Sequence, residues 1–524
     1  MAQDAPGISA WWRRASQALF LLLFLWLFRR TEYIGGEVST AVNVFFRFDP
    51  LVAAAASLGA RALIAAVWPA LIVVGLTLAL GRFFCGWVCP LGTLLDASHP
   101  VVPPRGSGSK RLRPLKYLLL FFILVSALLG LPLVGYLDPF SLLYRGLALA
   151  WDPALYFLAT APLDFAYVHA PAGMSAATEP VNAFLKAHVL AYKQTYYELA
   201  VLTGAALVAV FALERIERRF WCKNVCPLGA LLALLSRFSL LRWQPGIACR
   251  DCRDCRDLCR MGAIGEDGRI APEACNLCLD CIRGCKRNLI GFRFRRPKPR
   301  PAPLGVSRRL VLWSVVGGVA LPAVFRSRAL SKLPDPWLLR PPGAKPEAEF
   351  LSRCVRCGEC MKVCPTNGLQ PALFEAGAEG VWSPALKPRI GYCTYNCNLC
   401  GQVCPTGAIE PLRVEVKQKV AIGHSHFDKN RCLPYAKGIP CLVCEEHCPV
   451  PEKAIKLREA KTIGPDGSEI SIMRPYLVDE RCIGCGICEF KCPLPGEAAV
   501  RVTAEGESRN PESAPVPTGA GGEG

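Results

Sequence analysis

Long apolar runs dominate the first 240 residues and then give way to short, polar, cysteine-studded segments. Ala62 to Leu80 and Leu118 to Leu137 are nearly free of charge over about the 20 residues that cross a hydrocarbon core, so each predicts a transmembrane helix. Ala15 to Phe28 is shorter and is bracketed by Arg13, Arg14, Arg29 and Arg30, whose long stems can snorkel to both interfaces. Leu199 to Leu213 reaches spanning length if Tyr196 and Tyr197 mark one interface and Phe220 and Trp221 the other. A fifth apolar segment, Leu310 to Phe325, follows Arg308 and Arg309 and carries Gly317, Gly318 and Pro322, residues that lipid tolerates.

Composition agrees with this division. Apolar residues make up 52% of the 524 positions, and the mean hydropathy is +0.28. That is more apolar than an ordinary soluble domain. The formal charge of +19 could mean nucleic acid or a membrane flank, and its distribution favours the flank. Arg82, Arg105, Lys110, Arg111, Arg113 and Lys116 cluster in one short connection with Asp96 as its only acid. From Lys286 to Arg309 there are nine basic residues and no acid, with prolines at 297, 299, 301 and 303. Both flanks read as cytoplasmic, which puts the N-terminus inside and makes 138–198 a long outer loop. No nucleic-acid module accompanies the basic runs, and none is expected.

The 28 cysteines supply the chemistry. Cys249, Cys252, Cys255 and Cys259 are spaced C-x2-C-x2-C-x3-C, and Cys275, Cys278, Cys281 and Cys285 repeat the spacing. In this bacterial ferredoxin run three thiolates hold one [4Fe-4S] cubane and the fourth reaches the neighbouring one. Cys249, Cys252, Cys255 and Cys285 are thus expected to hold one cluster, and Cys275, Cys278, Cys281 and Cys259 the other. The proline that usually follows the fourth cysteine is replaced by Arg260 and Lys286. Cys354, Cys357, Cys360 and Cys364 precede Pro365, and Cys482, Cys485, Cys488 and Cys492 precede Pro493, both with the standard spacing. Cys393, Cys397, Cys400 and Cys404 widen the first gap to three, and Cys432, Cys441, Cys444 and Cys448 widen it to eight. Zinc would need only paired C-x2-C knuckles, whereas six successive quartets with this spacing predict six [4Fe-4S] clusters. Disulfides are disfavoured because cysteines this close in sequence rarely reach bridge geometry.

The remaining four cysteines form an internal repeat at the ends of predicted membrane helices. Phe83-Phe84-Cys85-Gly86-Trp87-Val88-Cys89-Pro90-Leu91-Gly92 matches Phe220-Trp221-Cys222-Lys223-Asn224-Val225-Cys226-Pro227-Leu228-Gly229. Each is C-x3-C-P, half of a ferredoxin motif. Together Cys85, Cys89, Cys222 and Cys226 could hold a seventh centre, with a redox dithiol or structural thiol site as the alternative. No C-x-x-C-H occurs, and no histidine falls in the firmer spans, so neither c-type nor membrane b-type haem is expected. Dinucleotide, P-loop and nucleophile-elbow motifs are also missing, and no flavin site is evident. The chemistry implied is electron conduction.

With these motifs in place, the first 300 residues resemble NapH, the membrane ferredoxin subunit of periplasmic nitrate reductase systems, in their helices, paired C-x3-C-P motifs and double ferredoxin run. From about Val306 the chain resembles NapG, its four-cluster partner, opening on Ser307-Arg308-Arg309-Leu310-Val311-Leu312, which is similar to a twin-arginine export signal. The resemblance implies a fused quinol dehydrogenase of anaerobic respiration. It would take electrons from quinol or menaquinol and pass them to a periplasmic reductase, for nitrate or nitrous oxide, or to a cytochrome c. The NosR, MauN/MauM and CcoG families are related, and a CcoG-like metal-handling or assembly role, reducing copper at the C-x3-C-P thiols, is the alternative. The resemblance further implies that the four later motifs pair first with fourth and second with third. Cys364 would then join Cys482, Cys485 and Cys488, and Cys492 would join Cys354, Cys357 and Cys360. Likewise Cys404 would join Cys432, Cys441 and Cys444, and Cys448 would join Cys393, Cys397 and Cys400.

The expected fold is an α-helical membrane module of four to five transmembrane helices joined to α+β ferredoxin-like domains. Residues 1–240 form the membrane module, 241–296 a two-cluster domain, 297–345 a basic linker with the fifth apolar segment, 346–503 a four-cluster domain and 504–524 a disordered tail. The setting is the bacterial cytoplasmic membrane and its lipid, with the two-cluster domain cytoplasmic and the four-cluster domain periplasmic. Asp138, Asp152, Asp164, His169, Glu179 and His188 in the outer loop are candidate proton acceptors for quinol oxidation.

Overall fold

The computed structural model describes residues 8–33, 43–106, 110–169, 179–185, 190, 193–245, 254–265, 270–285, 290–295, 306–325, 335–463 and 469–509. Cys249, Cys252, His188, most of the basic run at 286–309 and the tail from 510 lie outside the described residues.

The N-terminal module repeats one plan twice. Asp49 accepts the main-chain N–H groups of Leu51 and Val52, and with Pro50 it starts helix Pro50–Ala60. Asp138 accepts from Ser141 and with Pro139 starts Pro139–Gly146. Both pairs put a carboxylate cap and a φ-locked proline where a helix start needs them. Each half then ends on its C-x3-C-P motif, whose last cysteine caps a further helix. Gly92 N–H donates to Cys89 Sγ at 3.5 Å to open Pro90–Ser98, and Gly229 N–H donates to Cys226 Sγ at 3.2 Å to open Pro227–Ser236. The first half's cysteine turn is helical, Phe83–Trp87. In the second half Cys222 lies in a π-helical turn, Trp221–Val225.

Three of the expected spans are shorter here than the apolar runs that predict them. Ala62 to Leu80 contains a short 3-10 turn, Ala65–Val67, and a helix of only 11 residues, Ala70–Leu80. Arg61, in the left-handed conformation, ends the preceding helix, and Pro69 precedes the next one. Leu118 to Leu137 breaks after Leu115–Leu128, where Gly130 turns the chain at φ +81° and Pro132 follows. Val134–Leu137 resumes as one turn. Leu199 to Leu213 yields Ala200–Ala212, and Ala15 to Phe28 lies inside the 23-residue helix Ile8–Arg30. Among the described residues one helix, Arg308–Phe325, is long and apolar enough to cross a membrane. It packs on Leu115–Leu128 at Gly318, where a Cβ would stand 3.0 Å from the Phe122 carbonyl oxygen. Small residues at this crossing thus permit close helix approach. Much of 138–198 is also not a loop: Pro139–Gly146, a π turn at Leu147–Trp151 and Asp152–His169 run on as continuous helix.

Inside this module a column of rings fills the core. Phe84 meets Phe140, which meets Phe45 and Phe46, and these lead to Phe24, Phe28 and Tyr144 at centroid distances of 5.2 to 6.4 Å. Outward the helices present apolar side chains. Leu19, Leu22, Trp26, Leu71, Leu155, Phe157, Val201, Leu312 and Trp313 are all exposed.

Strand Leu241–Pro245 pairs antiparallel with Ile290–Phe294, and the 255–285 cysteines lie between them in sequence. The C-terminal module is held by Leu369–Pro371 with Pro384–Leu386, His424–Phe427 with Val500–Thr503, and the hairpin Ile455–Ile463 with Glu469–Leu477. These two cysteine-rich modules grip opposite ends of helix Ile8–Arg30. Arg13 lies 3.5 Å from Asp280 of the first. Beyond the other end, Glu32 lies 3.2 Å from Lys362 of the second.

Candidate metal centres

Four cavities are each walled by four cysteines. The first holds Cys354, Cys357, Cys360 and Cys404. The second holds Cys364, Cys393, Cys397 and Cys400, and the third Cys432, Cys441, Cys444 and Cys492. Cys448 acts electrostatically on Cys482 and Cys485, and Ser425 Oγ stands 3.4 Å from Cys488 Sγ and 3.6 Å from Cys482 Sγ. Motifs therefore pair first with second and third with fourth, which corrects the pairing that the resemblance implied. The cause is local. The short helix Glu359–Lys362 carries the chain past its own trio, so Cys364 emerges beside the 393–400 turn, and Cys404 returns the exchange. Pairing of His424–Phe427 with Val500–Thr503 joins the last two motifs in the same way.

In the two-cluster module Cys281 feels Cys278, Cys275, Cys259 and Cys255, so cysteines of both predicted quartets lie close together. Cys255 and Cys285 share one small apolar cluster with them, while Cys249 and Cys252 lie outside the described residues.

The last cysteine of four motifs also accepts a main-chain N–H. Ala263 donates to Cys259 at 3.3 Å, Ile409 to Cys404 at 3.4 Å, Ala454 to Cys448 at 3.3 Å and Ala499 to Cys492 at 3.4 Å. Such bonds stabilise thiolate charge and tune cluster potential. Burial pushes the Cys485 and Cys444 thiols up to about 12 and Cys397 to about 11, so an ion's positive charge is needed to keep them as thiolates at neutral pH. All-thiolate donors suit iron-sulfur clusters or zinc. The quartets surround cavities, and among the described residues no three His, Cys, Asp or Glu side chains converge as they would on a single ion. No described cysteine is in a disulfide.

The fourth cavity joins the two half-motifs. Cys85, Cys89, Cys222 and Cys226 line it with Arg82, Phe84, Pro139 and Trp221. Two buried donors among these lining residues, Trp221 Nε1 and Arg82 Nε, have no partner within the protein. Four thiols with unspent N–H donors fit an anionic cluster. Arg82 and Arg219, each three residues before the first cysteine of its half, are both fully buried. Arg219 crosses to the other half, donating to the Cys85 and Gly92 carbonyls at 2.9 Å and pairing with Asp96 at 2.7 Å. Asp96 also holds Arg260 at 2.7 Å and Gln17 at 3.1 Å. Burial alone would push the Asp96 carboxyl up, but the Arg219 and Arg260 guanidiniums overcome it and hold it well below the usual range.

The centre abuts the two-cluster module. Arg82 donates to the Glu273 carbonyl and Trp87 Nε1 to that of Leu277, each at 2.9 Å. At the far end of the ring column, Arg145 donates to the carbonyls of Gly135 and Arg356 at 2.9 Å, and Tyr197 donates to Met361 at 3.2 Å. The first motif of the C-terminal module is thereby seated on the helices. Cysteine spacing alone does not reveal the pairing of Arg219 with Asp96, although the repeat extends one residue upstream to Arg82 and Arg219 as a matched pair.

Of the candidate proton acceptors, Asp138 is a fully buried helix cap that accepts the Ser141 N–H. Asp152 is engaged with Arg29 and Lys362. Asp164, His169 and Glu179 are exposed and do not meet the cysteine cavities.

A family model described as a 4Fe-4S binding domain matches residues 62–105 and 198–246, the two C-x3-C-P segments. A second 4Fe-4S binding domain matches 350–370. The methylamine utilization ferredoxin-type protein MauM of Methylorubrum extorquens is 36% identical over 37% of this chain and 87% of its own length. MauM of Paracoccus denitrificans is 34% identical over 40% and 88%. The ferredoxin-type protein NapG of Escherichia coli is 34% identical over 28% of this chain and 63% of its own length. No solved structure matches.

Proposed function

The chain belongs to the MauM family of ferredoxin-type 4Fe-4S proteins, and from that premise we propose that it is a membrane quinol dehydrogenase that joins a NapH-like helical module to a NapG-like four-cluster module. The observation that carries this reading is the four-cysteine cavity, set beside the two-cluster module and joined by buried rings to the seat of the first C-terminal motif.

Seven sites would be served by 28 cysteines: the six ferredoxin sites, one of them including Cys249 and Cys252, and the paired C-x3-C-P site. When bound, each [4Fe-4S] cluster supplies a one-electron carrier. The protein's part is to hold these sites in a fixed order. Cys393 N–H donates to the Cys485 carbonyl at 2.9 Å and ties the second site to the fourth-motif trio. Seating of Arg356 and Met361 on the helices fixes the first. The third-motif site, lined by Phe427, Pro475 and Leu494, is the outlet toward a periplasmic reductase or cytochrome c.

Two observations support a membrane setting. Arg13 and Arg29 lie about 24 Å apart along one helix at 1.5 Å per residue, close to a hydrocarbon core of about 30 Å, with one ferredoxin module at each end. The helices between also expose large apolar side chains, which on a monomer mark contact with lipid or a partner. The two-cluster module then lies in the cytoplasm and the four-cluster module in the periplasm. Addition of a menaquinol analogue to the purified anaerobic protein is expected to generate the EPR signals of reduced clusters. No reduction at any analogue potential overturns the reading, and protection of residues beyond 346 from protease in spheroplasts overturns the topology.

A further inference from the structure

The repeat is symmetric at its cysteines and asymmetric in charge. Aligned on Cys89-Pro90-Leu91-Gly92 and Cys226-Pro227-Leu228-Gly229, Arg82 corresponds to Arg219, and Asp96 corresponds to Ala233. Each arginine reaches across to the helix that the other half's last cysteine starts. Arg219 Nη1 would stand 3.2 Å from a Cβ on Gly92, and Arg82 Nη2 would stand 3.0 Å from a Cβ on Gly229. One turn further along, Arg219 finds the Asp96 carboxylate, whereas Arg82 faces the helix carrying Ala233, fully buried.

Arg82 is thus a guanidinium with no exposed surface and, among the described residues, no carboxylate within ion-pair distance. Its contacts are the Glu273 carbonyl at 2.9 Å and Cys85 Sγ at 3.9 Å. Lys116, also buried, acts on the same Cys85 and on Cys226. A buried charge without a partner is strongly destabilising, so the counter-charge must come from the thiolates themselves. The geometry points to Arg82 as the residue that sets the potential of the four-cysteine centre: its uncompensated charge raises the midpoint, while Arg219 faces Asp96, a carboxylate it shares with Arg260, and so moves the midpoint less and serves mainly to position the turn.

Resting on the proposed reading that these cysteines hold a [4Fe-4S] cluster, this makes the centre easier to reduce than a cubane without such a cation, because net charge near the cluster tunes its potential. That is what the acceptor of electrons from a quinol requires. A local cation at a few ångströms acts strongly in a site closed to water.

The test is an EPR-monitored redox titration of the full-length purified protein, in which the centre's signal is the one absent from the C85S/C222S variant. A lower midpoint for that signal is expected in Arg82→Gln, a midpoint near wild type in Arg82→Lys, and a smaller shift in Arg219→Gln. Ala233→Asp, which restores the missing acid and keeps the guanidinium, is expected to lower the midpoint as well. It is the variant to read if Arg82→Gln loses the centre. If C85S/C222S removes neither signal nor iron, the cluster reading itself fails. If the signal exists and its midpoint is unmoved in Ala233→Asp or Arg82→Gln, or moves more in Arg219→Gln, the role of Arg82 is overturned.

Discussion

The C-terminal ferredoxin sites and the four-cysteine centre use the same ligand in opposite ways. Each C-terminal cavity draws three thiols from one motif and the fourth from the adjacent motif, so ligands and scaffold are nearly one stretch of chain. The other centre takes two thiols from each half of a helical module, and its cavity exists only once those halves have folded together. Around the first kind, main-chain N–H groups face the sulfurs. Around the second, the Gly92 and Gly229 N–H groups likewise face Cys89 and Cys226, and buried arginines and an indole N–H are added to them. A centre assembled from distant segments is thereby exposed to tuning by side chains that evolution can change singly.

The largest effect that tests this contrast is iron content. With seven cubanes the protein is expected to hold about 28 irons, and C85S/C222S about 24 with the ferredoxin signals intact. Within the C-terminal module the exchange of fourth cysteines predicts non-additivity. Cys364 and Cys400 wall one cavity, so C364S, C400S and the double variant each lose the same cluster, about four irons. C364S/C485S loses two clusters, about eight irons. Pairing of the first motif with the fourth reverses that result, and inductively coupled plasma analysis of the four variants decides between them.

Next in size is the attachment of the two ferredoxin modules. A Cβ on Gly86 would stand 2.2 Å from the Asn276 carbonyl oxygen, and one on Gly135 would stand 1.9 Å from that of Val355. Both collisions are with the main chain of a docked module, which cannot rotate aside. Overpacking of this kind costs about 1–3 kcal/mol. Gly86→Ala is expected to loosen the two-cluster module, and Gly135→Ala the four-cluster module. Limited proteolysis of each variant is expected to release one module and spare the other, and equal release of both would break the picture of two separate docking faces.

Legibility in the sequence follows the same contrast. The quartets were readable because ligand spacing is local, and Cys354, Cys357 and Cys360 do wall one cavity together. The pairing of later motifs was not, because it depends on where the helix Glu359–Lys362 aims Cys364 and on which strands meet. Hydropathy located the helical module but overestimated its helices. Apolar runs continue through Arg61, Pro69, Gly130 and Pro132, where the backbone must break for reasons of φ rather than polarity. The segment with the least regular composition, Arg308–Phe325, forms the helix that meets the length and hydropathy of a span. Its glycines, which weaken a helix in isolation, are spent on packing against Leu115–Leu128.

The smallest effect concerns how the four-cluster module closes on itself, a charge device that the helical centre shares in Asp96. Glu347 bridges Arg340 at 2.6 Å and Arg509 at 2.8 Å, tying the start of the module to its last described residue. Burial alone would raise the Glu347 carboxyl, but Arg340 and Arg509 overcome this and hold it at about 2, below its ordinary 4.5. A depressed carboxylate contributes stability that is fully present above the ordinary value and is lost as the pH falls toward the folded one. Glu347→Gln should therefore lower the urea midpoint at pH 6, and the gap to wild type should narrow steadily as the pH is brought from about 5 to about 3, by at most about 1.4 kcal/mol per pH unit. A gap that stays constant over that range would mean the bridge is held by packing of the fully buried Arg340 rather than by the charge on Glu347.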